Sequence, residues 1–263
     1  MNPVEELLSA RRQRAVTVDT DHRPWPLPDR RWTMGQTWES LLFAHWPVPA
    51  EELRRIVPAP LSLDSFDGQA WLGITPFVVR GLRLRATLPL PYLSSFPEIN
   101  VRTYVTVADK PGIYFLSLDA ARRLAVFGAR RTYRLPYFHA AMTVGGSEAE
   151  VDYSSRRISS DGPQADFRAR YRAAGATYRA TAGSLDHWLT ERYCLYTIDE
   201  RRRVWRGEIH HPPWALQRAR AQIERNTMAE PFGVELIGEP LLHYAPRQDV
   251  ALWPLARADA SDG

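Results

Sequence analysis

"EINVRTYVTVADKPGIYFLSLD", residues 98–119, decides how the rest of the chain is read. Apolar or β-branched Ile99, Val101, Thr103 and Val105 alternate with Asn100, Arg102 and Tyr104, the period-two pattern of a half-buried strand. "ADKPG" (108–112) supplies turn chemistry, and "GIYFLSLD" (112–119) returns as the partner strand. An antiparallel hairpin is the natural product of this stretch, with one apolar and one polar face.

The same reading extends in both directions. Upstream, "TMGQTWESLLFAHWPV" (33–48) reads as a mostly buried strand. "PAEELRRIVP" (49–58) reads as a short helix opened by Pro49, with Glu51 and Glu52 in its first turn and Pro58 at its end. Asp67-Gly68 marks a turn between strand-like pieces. Downstream, Asp119 is placed to cap a helix over 120–131, where Ala120, Ala121, Leu124, Phe127 and Gly128 fall at helical spacing. Strands are expected again over 137–146, 148–159 and 165–175, and Ser184 caps a further helix. "RRVWRGEIHHPPWAL" (202–216) is a strand that must stop at Pro212-Pro213, "ALQRARAQIER" (215–225) reads as a helix, and 240–255 closes with strands. Strands outnumber helices and short turns join many of them, so the expected class is α+β, mostly antiparallel. Residues 1–31 read as an N-terminal arm or short helix that packs loosely, 32–258 as a single domain and 259–263 as a tail.

Composition narrows the function. The 263 residues are 44% hydrophobic and 24% charged, ordinary for a globular protein. No apolar run reaches a membrane span, and "MNPVEELLSARRQR" lacks the apolar core of a secretory signal, so a cytoplasmic protein is expected. The net charge is +4, but the arginines are interleaved with acids, so no nucleic-acid partner is expected. Cys194 is the only cysteine and reads as a small buried apolar residue. Lys110 is the only lysine among 34 basic residues, and it stands in a turn sequence where its amine is solvated. No Gly-rich phosphate loop and no G-x-S-x-G elbow occurs. Neither a cofactor nor a metal is expected, since the histidines show no HxH or HxxxH spacing.

Three stretches together, "LLFAHWPVPAEELRRIVPAPLSLDSFDGQAWLGITPF" (41–77), "PEINVRTYV" (97–105) and "GIYFLSLDAARRLAVFGARRTYRLPYFHAAM" (112–142), resemble the YqjF-like family of uncharacterised bacterial proteins. That family is similar to acetoacetate decarboxylase. The resemblance covers roughly 33–255 and implies a mostly antiparallel β-barrel or cone with a few helices and a central cavity for a small molecule. It leaves a homo-oligomer open. Acetoacetate decarboxylase carries a Pro-Lys-Lys motif whose first lysine forms a Schiff base. In "FGARRTYRLPYFHA" Pro136 fills the proline, while Tyr137 and Phe138 stand where the lysines would be. The family's carboxylate-binding arginine falls near His45 or Trp46, and one of its acidic residues falls on Glu98. An imine mechanism needs a lysine amine, so the resemblance implies the cavity without that chemistry.

The candidate site follows from these positions. Glu98 in an aromatic cavity would act as general acid or base, and Arg102, four residues on and on the same strand face, would bind an anionic group. The plain alternatives are, for Glu98, a surface strand-end glutamate or one paired with Arg102, and for Arg102 a cross-strand salt bridge. Tyr137 and His139 share a face opposite Phe138 and could shuttle a proton; aromatic packing explains them equally simply. His45, Trp46, Phe138 and one of the adjacent His210 and His211, for which His210 is taken, complete the expected substrate-binding lining. The two functions to separate are a lysine-free acid–base enzyme acting on a small organic acid or carbonyl compound, and a non-catalytic binder of an apolar small molecule.

Overall fold

Residues 98–119 form the expected hairpin, with a tighter turn than "ADKPG" suggests. Ala108 and Asp109 alone link Val107 to Lys110, with φ of 48° and 58°. Positive φ at both central residues matches the twist of the flanking strands, which is why this turn joins them without splaying.

The computed structural model describes residues 3–89, 94–147 and 149–258; the tail expected over 259–263 lies outside them. Its elements are α1 (Pro3–Ala15), β1 (Met34–Val48), α2 (Ala50–Ile56), β2 (Ser62–Leu63), β3 (Ala70–Leu84), β4 (Phe96–Val107), β5 (Lys110–Ala120), α3 (Arg123–Tyr133), β6 (Tyr137–Gly146), β7 (Val151–Arg157), β8 (Asp166–Ala173), α4 (Leu185–Thr190), β9 (Cys194–Ile198), β10 (Val204–His210), β11 (Gln217–Asn226), β12 (Leu241–Leu252) and β13 (Ala256–Arg257). The strands make one 13-stranded mixed sheet, antiparallel except where β5 pairs with β6 and with β9. Pairings β1–β3–β4–β5–β9–β10–β12, returning to β1, close on themselves, so the sheet is partly ringed. The class is α+β, as expected. No helix among the described residues is long and apolar enough to cross a membrane.

The alternation in β4 is real, but its polar face does not meet water. Ile99 and Val101 join a core with Leu42, Leu72, Tyr153 and Phe167. The opposite face, Glu98, Asn100, Arg102 and Tyr104, is buried as well, because it looks into the ring. Polar side chains can be held there because neighbouring strands and the pocket surround them, rather than hydrocarbon alone.

Three expectations fail for identifiable reasons. Asp119 caps no helix: it is the penultimate residue of β5, fully buried, and accepts from Arg157 Nη2 at 2.7 Å and Nε at 3.0 Å. The helix starts later, at Arg123, with Arg122 in the cap position. The segment 215–225 is strand β11, where Ala219, Ala221 and Ile223 turn inward while Arg218, Arg220 and Gln222 are exposed. Its residues suit helix by propensity, and the period of two won because the face had a sheet to cover. The N-terminal segment packs closely. Gln13 is buried and donates to Gly81 O at 3.0 Å, and Arg83 Nε donates to Gln13 Oε1 at 2.8 Å. Arg23 Nη2 donates to Glu208 Oε2 at 2.8 Å, also buried.

Candidate functional site

The site is built on the β3–β4 pair. Gly73 stands opposite Arg102, Thr75 opposite Asn100 and Phe77 opposite Glu98, three rungs of one ladder. All but Gly73 line a pocket of about 300 Å³ inside the ring. Gly73 leaves the room its neighbours occupy: a Cβ there would come within 2.9 Å of the His45 ring and 3.4 Å of Arg102 Cγ. Trp38 and Leu41 of β1, Ile113 and Phe115 of β5, and Leu195 and Ile209 of β9 and β10 supply much of the apolar wall.

Glu98 anchors one end of the ladder. It is 6% exposed, and the Tyr137 phenol donates to its Oε2 at 3.0 Å. Burial pushes the Glu98 carboxyl up to about 8; the Tyr137 bond pulls it down and the charge of Asp119 pushes it further up. Burial also raises Tyr137 well above its ordinary value, reinforced by Glu98. Glu98 is therefore a carboxyl that changes protonation near neutral pH, the condition for efficient proton transfer in either direction.

Arg102 anchors the other end. It is buried, stacks its guanidinium over the Phe43 ring at 5.1 Å, and makes no ion pair with a carboxylate among the described residues. Among the described residues, Arg102 Nε and four further lining atoms, Thr75 Oγ1, Asn100 Oδ1, Arg192 Nη2 and Trp214 Nε1, are buried without a hydrogen-bond partner. Arg192 is otherwise satisfied by Asp64 at 2.8 Å and by the Trp188 carbonyl. Unpaired buried polar groups are expensive, and the four of these that can donate, on Thr75, Arg102, Arg192 and Trp214, describe an anion-binding end. His211 also lines the pocket. Its two ring nitrogens face the carbonyls of Pro212 at 2.8 Å and Arg192 at 3.3 Å, of which a neutral imidazole can satisfy only one, and burial lowers its pKa.

The structure brings Glu98, Arg102 and Tyr137 together on one pocket wall and leaves the other expected residues off it. Glu98 and Arg102 are not paired with each other. His45 lies directly behind the wall, fully buried, with Nε2 and the Tyr104 hydroxyl 2.7 Å apart; burial, and then the charge of Arg102, lowers its pKa. Trp46 belongs to the opposite face of β1 and donates to Gly238 O. Phe138 lies under Arg157, whose guanidinium is 4.1 Å from the ring centre. His139 does not join the pocket: Arg123 Nε contacts its Nδ1 at 3.4 Å, and its backbone N–H donates to Ser159. His210 points toward the N-terminal segment, its Nε2 2.8 Å from Val16 O, and it is the adjacent His211 that lines the pocket. Strand alternation says that one of the pair faces in, without saying which. Arg192, Trp214 and Thr75 were not anticipated. They come from distant parts of the chain, and no spacing in the sequence links them to "EINVRTYV". Lys110, the first residue of β5, does not line the pocket.

The comparisons agree with this architecture. The family model DUF2071, described as an uncharacterized conserved protein, matches residues 35–249. The uncharacterized protein YqjF of Bacillus subtilis (strain 168) is 49% identical over 232 residues, covering 88% of this chain and 95% of its own. Among solved structures, the enduracididine biosynthesis enzyme MppR complexed with pyruvate superposes with a TM-score of 0.61 at 13% identity, covering 90% of this chain and 94% of its own. An acetoacetate decarboxylase-like enzyme from Sphingomonas wittichii RW1 superposes at 0.58 and 13%, covering 90% and 98%. At such identities the structural likeness speaks for the fold alone. The chain thus belongs to the DUF2071 family, with the fold that acetoacetate decarboxylase-like enzymes share.

Proposed function

We propose that this protein is an enzyme that binds a small organic acid or carbonyl compound in the β3–β4 pocket and moves a proton with Glu98, without a Schiff base. The observation that carries this reading is the ladder itself: a buried carboxyl held by Tyr137 at one end, and an arginine without a carboxylate partner at the other. Arg102 holds the ligand's anionic group. Glu98, protonated near neutral pH, gives its proton to the carbonyl oxygen; the adjacent C–H bond breaks to form the enol, its proton passing to the carboxylate so formed, and the reverse steps restore both. Tyr137 fixes the carboxyl's orientation through its hydrogen bond. The only lysine is away from the pocket, so the carbonyl is activated by hydrogen bonding and not as an imine. MppR, on the same fold, is described in complex with pyruvate, which supports a small acid as the kind of ligand this architecture accepts. This reading needs neither a nucleic-acid nor a membrane partner and suits a cytoplasmic protein.

The apolar and aromatic wall favours a second reading, in which the pocket only stores or carries a small molecule. The two separate in deuterated water. Exchange of C–H protons in a panel of oxo-acids, followed by NMR, should be accelerated by the unmodified chain. Glu98→Gln should lose at least about a hundredfold of that rate while keeping the ligand's affinity within a few-fold. Exchange at the parent rate in the variant removes Glu98 from the chemistry, and binding without exchange in the unmodified chain supports the carrier.

A further inference from the structure

The pocket is larger, and far more apolar, than its anion-binding end requires. At roughly 30 Å³ for each water-sized group, 300 Å³ holds about ten of them. A three-carbon oxo-acid fills only part of that space. It also leaves much of the lining uncovered. Glu98 and Arg102 are four residues apart on one strand, about 13 Å between their Cα atoms, with Asn100 between them. An acid whose carboxylate sits at Arg102 and whose body ends after two more carbons leaves the wall of Trp38, Ile113, Phe115, Leu118 and Leu195 facing nothing. Such a wall, left against water, costs free energy that an apolar ligand body recovers. Among the described residues, the head region has one cation without a carboxylate partner, because Arg192 is already paired with Asp64. It therefore suits one negative charge and not two.

Building on the reading of this pocket as the working site, we infer that its ligand is an amphipathic monocarboxylic acid: a single carboxylate at Arg102, and an alkyl chain of six or more carbons or an aryl body lying along the Trp38–Phe115 wall. The Asn100 amide, whose Oδ1 has no partner, accepts a hydrogen bond from a hydroxyl or N–H near the head, which makes a hydroxy-acid a better head group than the bare acid.

The test uses the full-length protein and titration calorimetry, with Trp38 and Trp214 in the lining giving a parallel fluorescence readout. The probes are pyruvate, butyrate, hexanoate, octanoate, 3-phenylpropionate and 3-phenyllactate, with octanol and 3-phenylpropanol as uncharged analogues. Affinity should rise roughly fourfold for each added CH₂ up to the length of the wall. The phenyl acids should exceed butyrate, 3-phenyllactate should exceed 3-phenylpropionate, and each acid should exceed its alcohol by at least about tenfold. Arg102→Met should erase the advantage of acid over alcohol. If that variant fails to fold, the acid–alcohol comparison on the unmodified chain carries the same information. Pyruvate binding as tightly as octanoate overturns the amphipathic class and leaves the proposed small-acid enzyme standing. Alcohols binding as tightly as the acids overturn the carboxylate assignment to Arg102. Phenyllactate no tighter than phenylpropionate overturns the role given to Asn100. No binding by any probe overturns both this inference and the reading it rests on.

Discussion

At the scale of single residues, Glu98 concentrates the physics of the site. Its ordinary pKa of 4.5 is raised to about 8 in the folded chain, chiefly by burial. A carboxyl raised by folding contributes stability that is whole below its unfolded pKa and lost as pH climbs through the folded one. Stability of the unmodified chain should therefore fall between about pH 5 and pH 8 relative to Glu98→Gln, which stays neutral throughout. The gap should then level off, at no more than about 5 kcal/mol judged from the size of the shift. Chemical denaturation of both proteins across that range checks it, and parallel curves would mean that Glu98 ionises as it does in water. The identity of this residue as a candidate was legible in "PEINVRTYV". So was the upward direction of its shift, given burial in a cavity; the Tyr137 hydrogen bond and the Asp119 charge that modify it were not, because they arrive from β6 and β5.

At the scale of elements, the pocket wall is held by contacts between strands that the chain separates widely. The Asp119–Arg157 pair ties β5 to β7, with both side chains essentially out of solvent. Asp119→Ala should leave a buried guanidinium without its counter-charge and cost about 3–5 kcal/mol, read from the denaturant midpoint. A cost below 1 kcal/mol would show that water reaches Arg157. The same pair explains why the helix expected at 120–131 starts late: Asp119 is bound in the sheet and its carboxylate cannot serve as a cap. Strand β11 teaches a related lesson. Alternating arginines and small apolar residues carry both a helical propensity and a period of two, and only the presence of β8 alongside chooses between them.

At the scale of the whole molecule, the N-terminal segment closes the structure and does not merely precede it. It supplies Gln13 to Arg83 and Arg23 to Glu208, two buried arginine contacts, and Val16 and Trp32 pack on Ala251 and Trp253. A chain starting at Thr33 should lose at least about 3 kcal/mol, because Arg83 loses Gln13 and the Ala10 carbonyl, Glu208 loses Arg23 and keeps only Arg206, and Trp253 loses its cover of Val16 and Trp32. Thermal unfolding of the shortened chain measures this, and an unchanged midpoint would make the segment an appendage.

The sequence by itself determined the class of fold, the hairpin at its centre, the family, and the absence of a lysine where an imine would form. Those follow from local periodicity, turn chemistry and residue identity, each of which acts over a few neighbours. The resemblance placed Glu98 and Arg102 at a cavity, but only the tertiary structure decided that the rest of the polar half of "EINVRTYV" is buried with them, that His211 and not His210 meets the pocket, and that Arg192 and Trp214 join Arg102 there. Alternation assigns residues to two faces of a strand but cannot say which face meets solvent. Closing strands into a ring removed the outside from one of them, and turned what reads as a surface into a site.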